Sequence, residues 1–259
     1  MTGLNIRNLS QVFLRSYLIG ACFNPRGLQN VGLAYAIDPG LKAIHAEPNA
    51  LQQARKRALQ VYNTHPYWTP LLLGVFLYLE KKIAKGLLPA KTLPKIKTTT
   101  VYTLSAVGDS FFGGSLFVFW SLTTVLMLVS GLRALPLAWG ISWFLALQIF
   151  RIYTFHQGLV HGLAFLSRLR EWNLINAGRR IKILNALVLV AIWVTIWPWS
   201  RHWAPWCLAA IGLPVLSLVC ARHYRVREFF LAAFLGAALL WPMLAKSRLG
   251  FDTVLELWK

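Results

Sequence analysis

The sequence predicts an all-α, polytopic membrane protein, with N-terminal amphipathic and re-entrant helices followed by about five transmembrane helices. Three observations predict it. Hydrophobic residues make up 57% of the 259 residues and charged residues only 14%, far from globular averages of about 45–50% and 25%. Long stretches of the second half carry no charge at all. The 27 Lys and Arg against 8 Asp and Glu, a net charge of +19, fall in clusters between apolar stretches, as they do in the cytoplasmic loops of polytopic proteins. This composition excludes a disordered chain and a secreted disulfide scaffold, and it argues against a free nucleic-acid binder.

The chain divides after residue 97. Residues 1–97 form a basic N-terminal region, and residues 98–259 form the membrane domain. Arg7 and Arg15 interrupt the first apolar stretch, so the N-terminus makes a poor cleavable signal peptide. Leu14, Tyr17, Leu18, Ala21 and Cys22 fall at helical spacing and predict an amphipathic helix, stopped by Pro25. A second helix opens near Pro48 and runs to Tyr62. Leu51, Ala54, Ala58, Leu59 and Tyr62 share its apolar face, and Arg55, Lys56 and Arg57 form a solvated basic one. Tyr67 to Leu79 is uncharged, yet about 13 residues reach only about 20 Å against a hydrocarbon core of about 30 Å. Bracketed by Pro66 and Glu80, with Pro70 inside, it is expected as a short re-entrant apolar hairpin whose backbone is satisfied by protein or water. Residues 81–97 then read as a basic linker.

The expected spans are Phe111 to Leu132, Ala134 to Phe150, Ile183 to Ser200, Trp203 to Ala221 and Phe229 to Ala245. Basic residues gather in the N-terminal region, in 151–182 and in 222–228, whereas the opposite connections show Arg133, Arg201 and a sparse tail. The N-terminus is therefore expected in the cytoplasm and the C-terminus outside, with Trp193, Trp197, Trp199, Trp203 and Trp206 as an aromatic belt around Arg201.

Polar groups in apolar surroundings are costly, so they mark where chemistry can sit. Two clusters qualify. In Tyr62-Asn63-Thr64-His65-Pro66, the amide, hydroxyl and imidazole of Asn63, Thr64 and His65 meet at a chain break and suit a hydroxyl-rich ligand, although on spacing alone helix termination and capping before Pro66 is the simpler account. In Gly108-Asp109-Ser110, Asp109 is the only acid between Glu80 and Glu171. It can accept hydrogen bonds from a sugar or partner, or N-cap a helix starting at Ser110. No nucleophile elbow, paired carboxylate or phosphate-cradling loop is present. Cys22, Cys207 and Cys220 have no ligand spacing, and His156 and His161 point apart on a helix. No catalytic residue, metal or cofactor is expected.

The blocks SYLIGACFNPRGLQNVGLAYAIDPGLKAI, RKRALQVYNTHP and AVGDSFFGGSLF, in that order, resemble the IID component of the mannose/fructose/sorbose family of the bacterial sugar phosphotransferase system. The likeness covers about the first half of the chain and returns at ARHYRVREFF. Where the family has a Gly-Pro pair before its GDS block this chain has a run from Lys97 to Tyr102, and Gly113 or Gly114 stands in place of its Trp. The resemblance implies a non-catalytic inner-membrane subunit that forms, with a IIC subunit, the path for a mannose-type hexose, while soluble IIA and IIB relay phosphate and IIB phosphorylates the sugar. By matching positions it implies Asn63, Thr64, His65 and Asp109 as the substrate or subunit-interface residues. A regulatory or scaffold membrane protein that keeps the fold and binds phosphotransferase proteins without moving sugar is the alternative.

Overall fold

The computed structural model describes residues 3–197, 203–223, 228–233 and 235–236, and its contacts divide the chain into Met1–Thr195 and Ile196–Lys259. Helix α1, Ile6–Arg15, is capped by Asn5, whose side chain accepts from the Asn8 N–H at 2.9 Å. It passes directly into a 3-10 segment, Ser16–Cys22, so the amphipathic helix expected over 14–22 starts earlier and winds more tightly at its end. Pro25 lies beyond it in a turn where Asn24 and Leu28 exchange backbone hydrogen bonds at 2.8 and 2.9 Å.

Helix α2, Asn30–Ile44, was not among the expected elements, and it carries Pro39 in its interior. Its buried Leu33, Ala36, Ile37 and Leu41 keep helical spacing across the proline. A proline lacks the N–H that would bind the carbonyl four residues back. Here that carbonyl belongs to Tyr35, and the Arg15 guanidinium donates to it at 3.2 Å while resting 4.4 Å from the Tyr35 ring centroid. Gly32 seats α2 on the 3-10 segment: a Cβ there would lie 2.1 Å from the Ile19 carbonyl oxygen.

Helix α3, Pro48–Ala58, starts as predicted, with Pro48 in its first turn and Glu47 accepting from the Asn49 and Ala50 N–H groups. It stops short of Tyr62, and Lys97 takes carbonyls at its end and just beyond, donating to Arg57, Ala58 and Gln60 at 3.2, 2.9 and 2.9 Å. The basic face is not simply solvated. Arg57 reaches Glu80 with two hydrogen bonds of 2.8 and 2.6 Å, and Arg55 reaches Asp38 at 2.7 Å.

The expected re-entrant hairpin is corrected by α4, a single helix from Thr69 to Ala84. Pro70 sits in its first turn, where its missing N–H is harmless. Leu71, Leu72, Leu73, Val75 and Leu77 are all fully buried, so the helix is apolar all round because protein surrounds it. Gly74 and Gly158 let α4 and a later helix, α7 (Leu135–His161), touch backbone to backbone: a Cβ on Gly74 would stand 2.5 Å from the Phe155 oxygen, and one on Gly158 2.5 Å from the Leu71 oxygen. Gly40 gives Leu77 the same access from α2.

The basic linker and the basic loop are corrected as well. Helix α5, Thr92–Gly108, already starts inside 81–97, and continues through a π-helical segment, Asp109–Leu116, into α6, Phe117–Val129. Residues 151–182 are helical too: α7 runs Leu135–His161, α8 Leu163–Glu171, and α9 Leu174–Ile196. Left-handed Gly162 (φ 55°) and Asn173 (φ 47°) make the two corners around α8. Among the described residues two helices are long and apolar enough to cross a bilayer, Thr92–Val129 with 38 residues and Leu135–His161 with 27. In the second unit, α10 spans Trp203–Arg222, and the Trp197 and Trp206 rings lie 5.8 Å apart. Trp199, Arg201 and most of 229–245 fall outside the described residues.

Candidate functional site

The π segment anchors the site. Its wide turns leave a carbonyl that Ser115 satisfies, donating its hydroxyl to Ser110 at 2.9 Å. Helix α9 braces it from the side: Asn185 donates to the Ser115 carbonyl at 3.0 Å, Gly178 admits Ser115 and Phe111, and Lys182 lies over Gly114. Such π turns recur at functional sites because they re-aim side chains without ending the helix. Asp109 opens this segment with helical backbone angles, φ −61° and ψ −42°, so it does not cap a new helix. Its side chain is exposed, and no chain break occurs between Gly108 and Gly114.

His65 comes to the same place from the loop between α3 and α4. Its ring stacks on Tyr67 and on Phe112, with centroids 5.5 and 5.1 Å apart. Close approach needs Gly108, where a Cβ would meet the His65 Cβ at 2.4 Å. Burial pulls the His65 pKa below its ordinary value, and the Asp109 charge opposes that only in part. The imidazole is therefore neutral at pH 7. Its Nδ1 accepts from the Tyr67 N–H at 3.4 Å, which assigns the proton to Nε2 and leaves an N–H to donate.

Thr64 and Asn63 stand differently. The Thr64 N–H donates to the Gln29 side chain at 3.2 Å, which ties the loop to the turn before α2, and its hydroxyl is buried without a partner among the described residues. Asn63 is half-buried. The fold thus brings His65 and Asp109 together and uses Thr64 to hold the loop.

Residues that sequence reasoning missed complete the surroundings. Tyr67 and Phe112 form the aromatic walls. Burial raises the Tyr67 pKa, with Arg151 pulling the other way and Tyr17 adding to the rise. Arg151, placed on a cytoplasmic loop from sequence, is buried in α7, where it donates to the Ser16 hydroxyl at 2.9 Å and covers the Tyr17 ring at 3.7 Å. The Tyr17 hydroxyl in turn donates to Gln148. A second buried set, His45 on Glu80 at 2.9 Å with Arg57 on the same carboxylate, ties α2, α3 and α4 together. Glu80 carried the signal for it, a lone acid ending an uncharged run.

Chemically, the site offers a neutral N–H donor, a carboxylate acceptor and ring faces. That mixture holds hydroxyl groups by hydrogen bonds and a sugar's C–H face by stacking. Among the described residues no His, Cys, Asp or Glu cluster could hold a metal ion.

Comparison with known proteins bears on this geometry. The family model described as PTS system mannose/fructose/sorbose family IID component matches residues 3–198. The fructose permease IID component of Bacillus subtilis (strain 168) is 27% identical over 202 residues, covering 74% of this chain and 72% of its own length. The mannose-specific EIID component of Escherichia coli (strain K12) is 29% identical over 153 residues, covering 58% of this chain, and the match spans 53% of that protein. A cryo-EM structure of the mannose transporter ManYZ with microcin E492 contains a chain of similar fold, with TM-score 0.55 and 22% identity over 92% of this chain and 96% of that one. A further membrane-protein structure matches with TM-score 0.69 and 22% identity, over 91% of this chain and 96% of that one.

Proposed function

This chain belongs to the IID component of the PTS mannose/fructose/sorbose family, and from that premise we propose that it joins a IIC subunit to form the uptake path of a mannose-type hexose. IIB phosphorylates the sugar, supplied through IIA, so this chain positions and does not catalyse. The observation that carries the proposal is the His65 ring, stacked between Tyr67 and Phe112 and seated against Gly108, beside Asp109 at the start of a π segment. Asn63 and Thr64 border the same loop and contribute to the substrate or subunit-interface side. The likeness to a chain of ManYZ supports assembly with a IIC subunit as a hetero-oligomer.

The protein lies in the bacterial cytoplasmic membrane, in contact with lipid, and needs no cofactor. Residues 1–97 face the cytoplasm, the membrane domain 98–259 crosses about five times, and the C-terminus is outside. Reporter fusions along the chain test that orientation, and a cytoplasmic C-terminus refutes it. Co-expression with a IIC subunit of the same family, followed by labelled hexose uptake, tests the function. Wild type is expected to restore uptake, and His65→Ala or Asp109→Asn to lower it about tenfold, the scale of one lost hydrogen bond to a charged or buried group. A stable complex with full uptake in both variants overturns the site, and a complex that moves no sugar favours the scaffold role.

A further inference from the structure

A cavity of about 560 Å³ opens between α5, α8 and the start of α9, with Trp68, Leu104, Val107, Leu169 and Leu174 in its apolar lining and neither His65 nor Asp109 in it. Its volume is that of a small-molecule site. The polar groups around it are few, and none is a carboxylate; Thr103 is one of them. Arg170 and Asn173 border it, and among the described residues no carboxylate pairs with Arg170. Trp68, itself fully buried, has an Nε1–H with no acceptor among the described residues. Helix α8, held between the corners at Gly162 and Asn173, buries Phe165 and Leu169 and leaves Arg168 and Arg170 exposed, which is the pattern of a helix lying in a membrane interface.

We propose that this cavity binds one anionic phospholipid, its acyl chain in the apolar lining and its phosphate on Arg170. An apolar space with donors but no acceptor-bearing charge complements a molecule that is greasy at one end and anionic at the other. The net charge of +19 brings the same lipids to the protein's surface. This site does not depend on sugar transport, and it holds whether the chain moves hexose or serves as a scaffold.

Native mass spectrometry of the full chain, purified with any subunit that accompanies it and offered equal phosphatidylglycerol and phosphatidylcholine, tests the proposal. One retained phosphatidylglycerol, preferred about fivefold or more, is expected. Arg170→Gln should bring that ratio near one, Val107→Trp should displace the lipid by filling the cavity, and Arg133→Gln at a distant turn should change nothing. Arg170→Gln changes an exposed side chain, so it decides the matter if Val107→Trp does not fold. Equal retention of both lipids, an unchanged preference in Arg170→Gln, or loss of the lipid when a IIC subunit binds would overturn it.

Discussion

Gly158→Ala tests the packing on which both the core and the site rest. The added methyl would stand 2.5 Å from the Leu71 oxygen and 3.0 Å from the Val75 nitrogen. Both are backbone atoms, so no rotamer change relieves the contact. A carbon and a carbonyl oxygen settle at about 3.3–3.6 Å, which forces α4 and α7 apart by about 1 Å at their crossing. Overpacking of this kind costs about 1–3 kcal/mol. With melting shifts of about 2–4 °C per kcal/mol for a domain of this size, the midpoint in detergent should fall by roughly 2–12 °C. Gly140 is the control, since nothing lies within 4 Å of its added methyl. Gly140→Ala should leave the midpoint unchanged or raise it, because alanine is the better helix former. Thermal unfolding followed by tryptophan fluorescence reads both. An unchanged midpoint in Gly158→Ala, or an equal fall in Gly140→Ala, refutes the reasoning.

Three other outcomes are expected. Glu80→Gln leaves Arg57 and His45 buried without their carboxylate, and should cost about 3–5 kcal/mol in the same assay. Lys97→Met frees three carbonyls at the end of α3 and should cost at least about 2 kcal/mol, with faster amide exchange at residues 58–62 as the local readout. Asp38 is held below the ordinary carboxylate pKa: burial alone would raise it, but Arg55 and Lys42 together outweigh that. A depressed folded-state value adds stability above the unfolded pKa of about 3.9, and loses it as pH falls through the folded value. The midpoint difference between wild type and Asp38→Asn should therefore hold steady from pH 7 to 5 and shrink below about pH 4. A constant difference down to pH 3 would contradict the pairing.

Parts of this architecture were legible from residue order alone. Pro48 marks the start of α3, and two of the five uncharged runs fall in helices that, among the described residues, are long and apolar enough to cross a bilayer. His65 and Asp109 stood out as polar groups in apolar surroundings, and the fold does bring them together. Other features misled. The helix across Pro39 went unread, and there Arg15 supplies the donor that the proline lacks, from another helix 20 residues back along the chain. Asp109 reads as a cap, yet the helix passes through it because Ser115 and Asn185 satisfy the carbonyls of a π turn.

Composition determines that long segments must leave water, since no partner for so many apolar side chains exists in solution. It does not determine which apolar medium receives them. Hydrocarbon and a protein interior reject charge equally, so the run from Tyr67 to Leu79 reads the same whether lipid or helices surround it. Only the tertiary structure decided that α4 lies among α2 and α7, by placing Gly40 where the Leu77 side chain enters and Gly158 where backbones touch. Burial of Glu80 and Lys97, and the partial burial of Arg57, was decided there too. A charge enters the interior only when its counterpart arrives at hydrogen-bonding distance, and those counterparts lie far away along the chain.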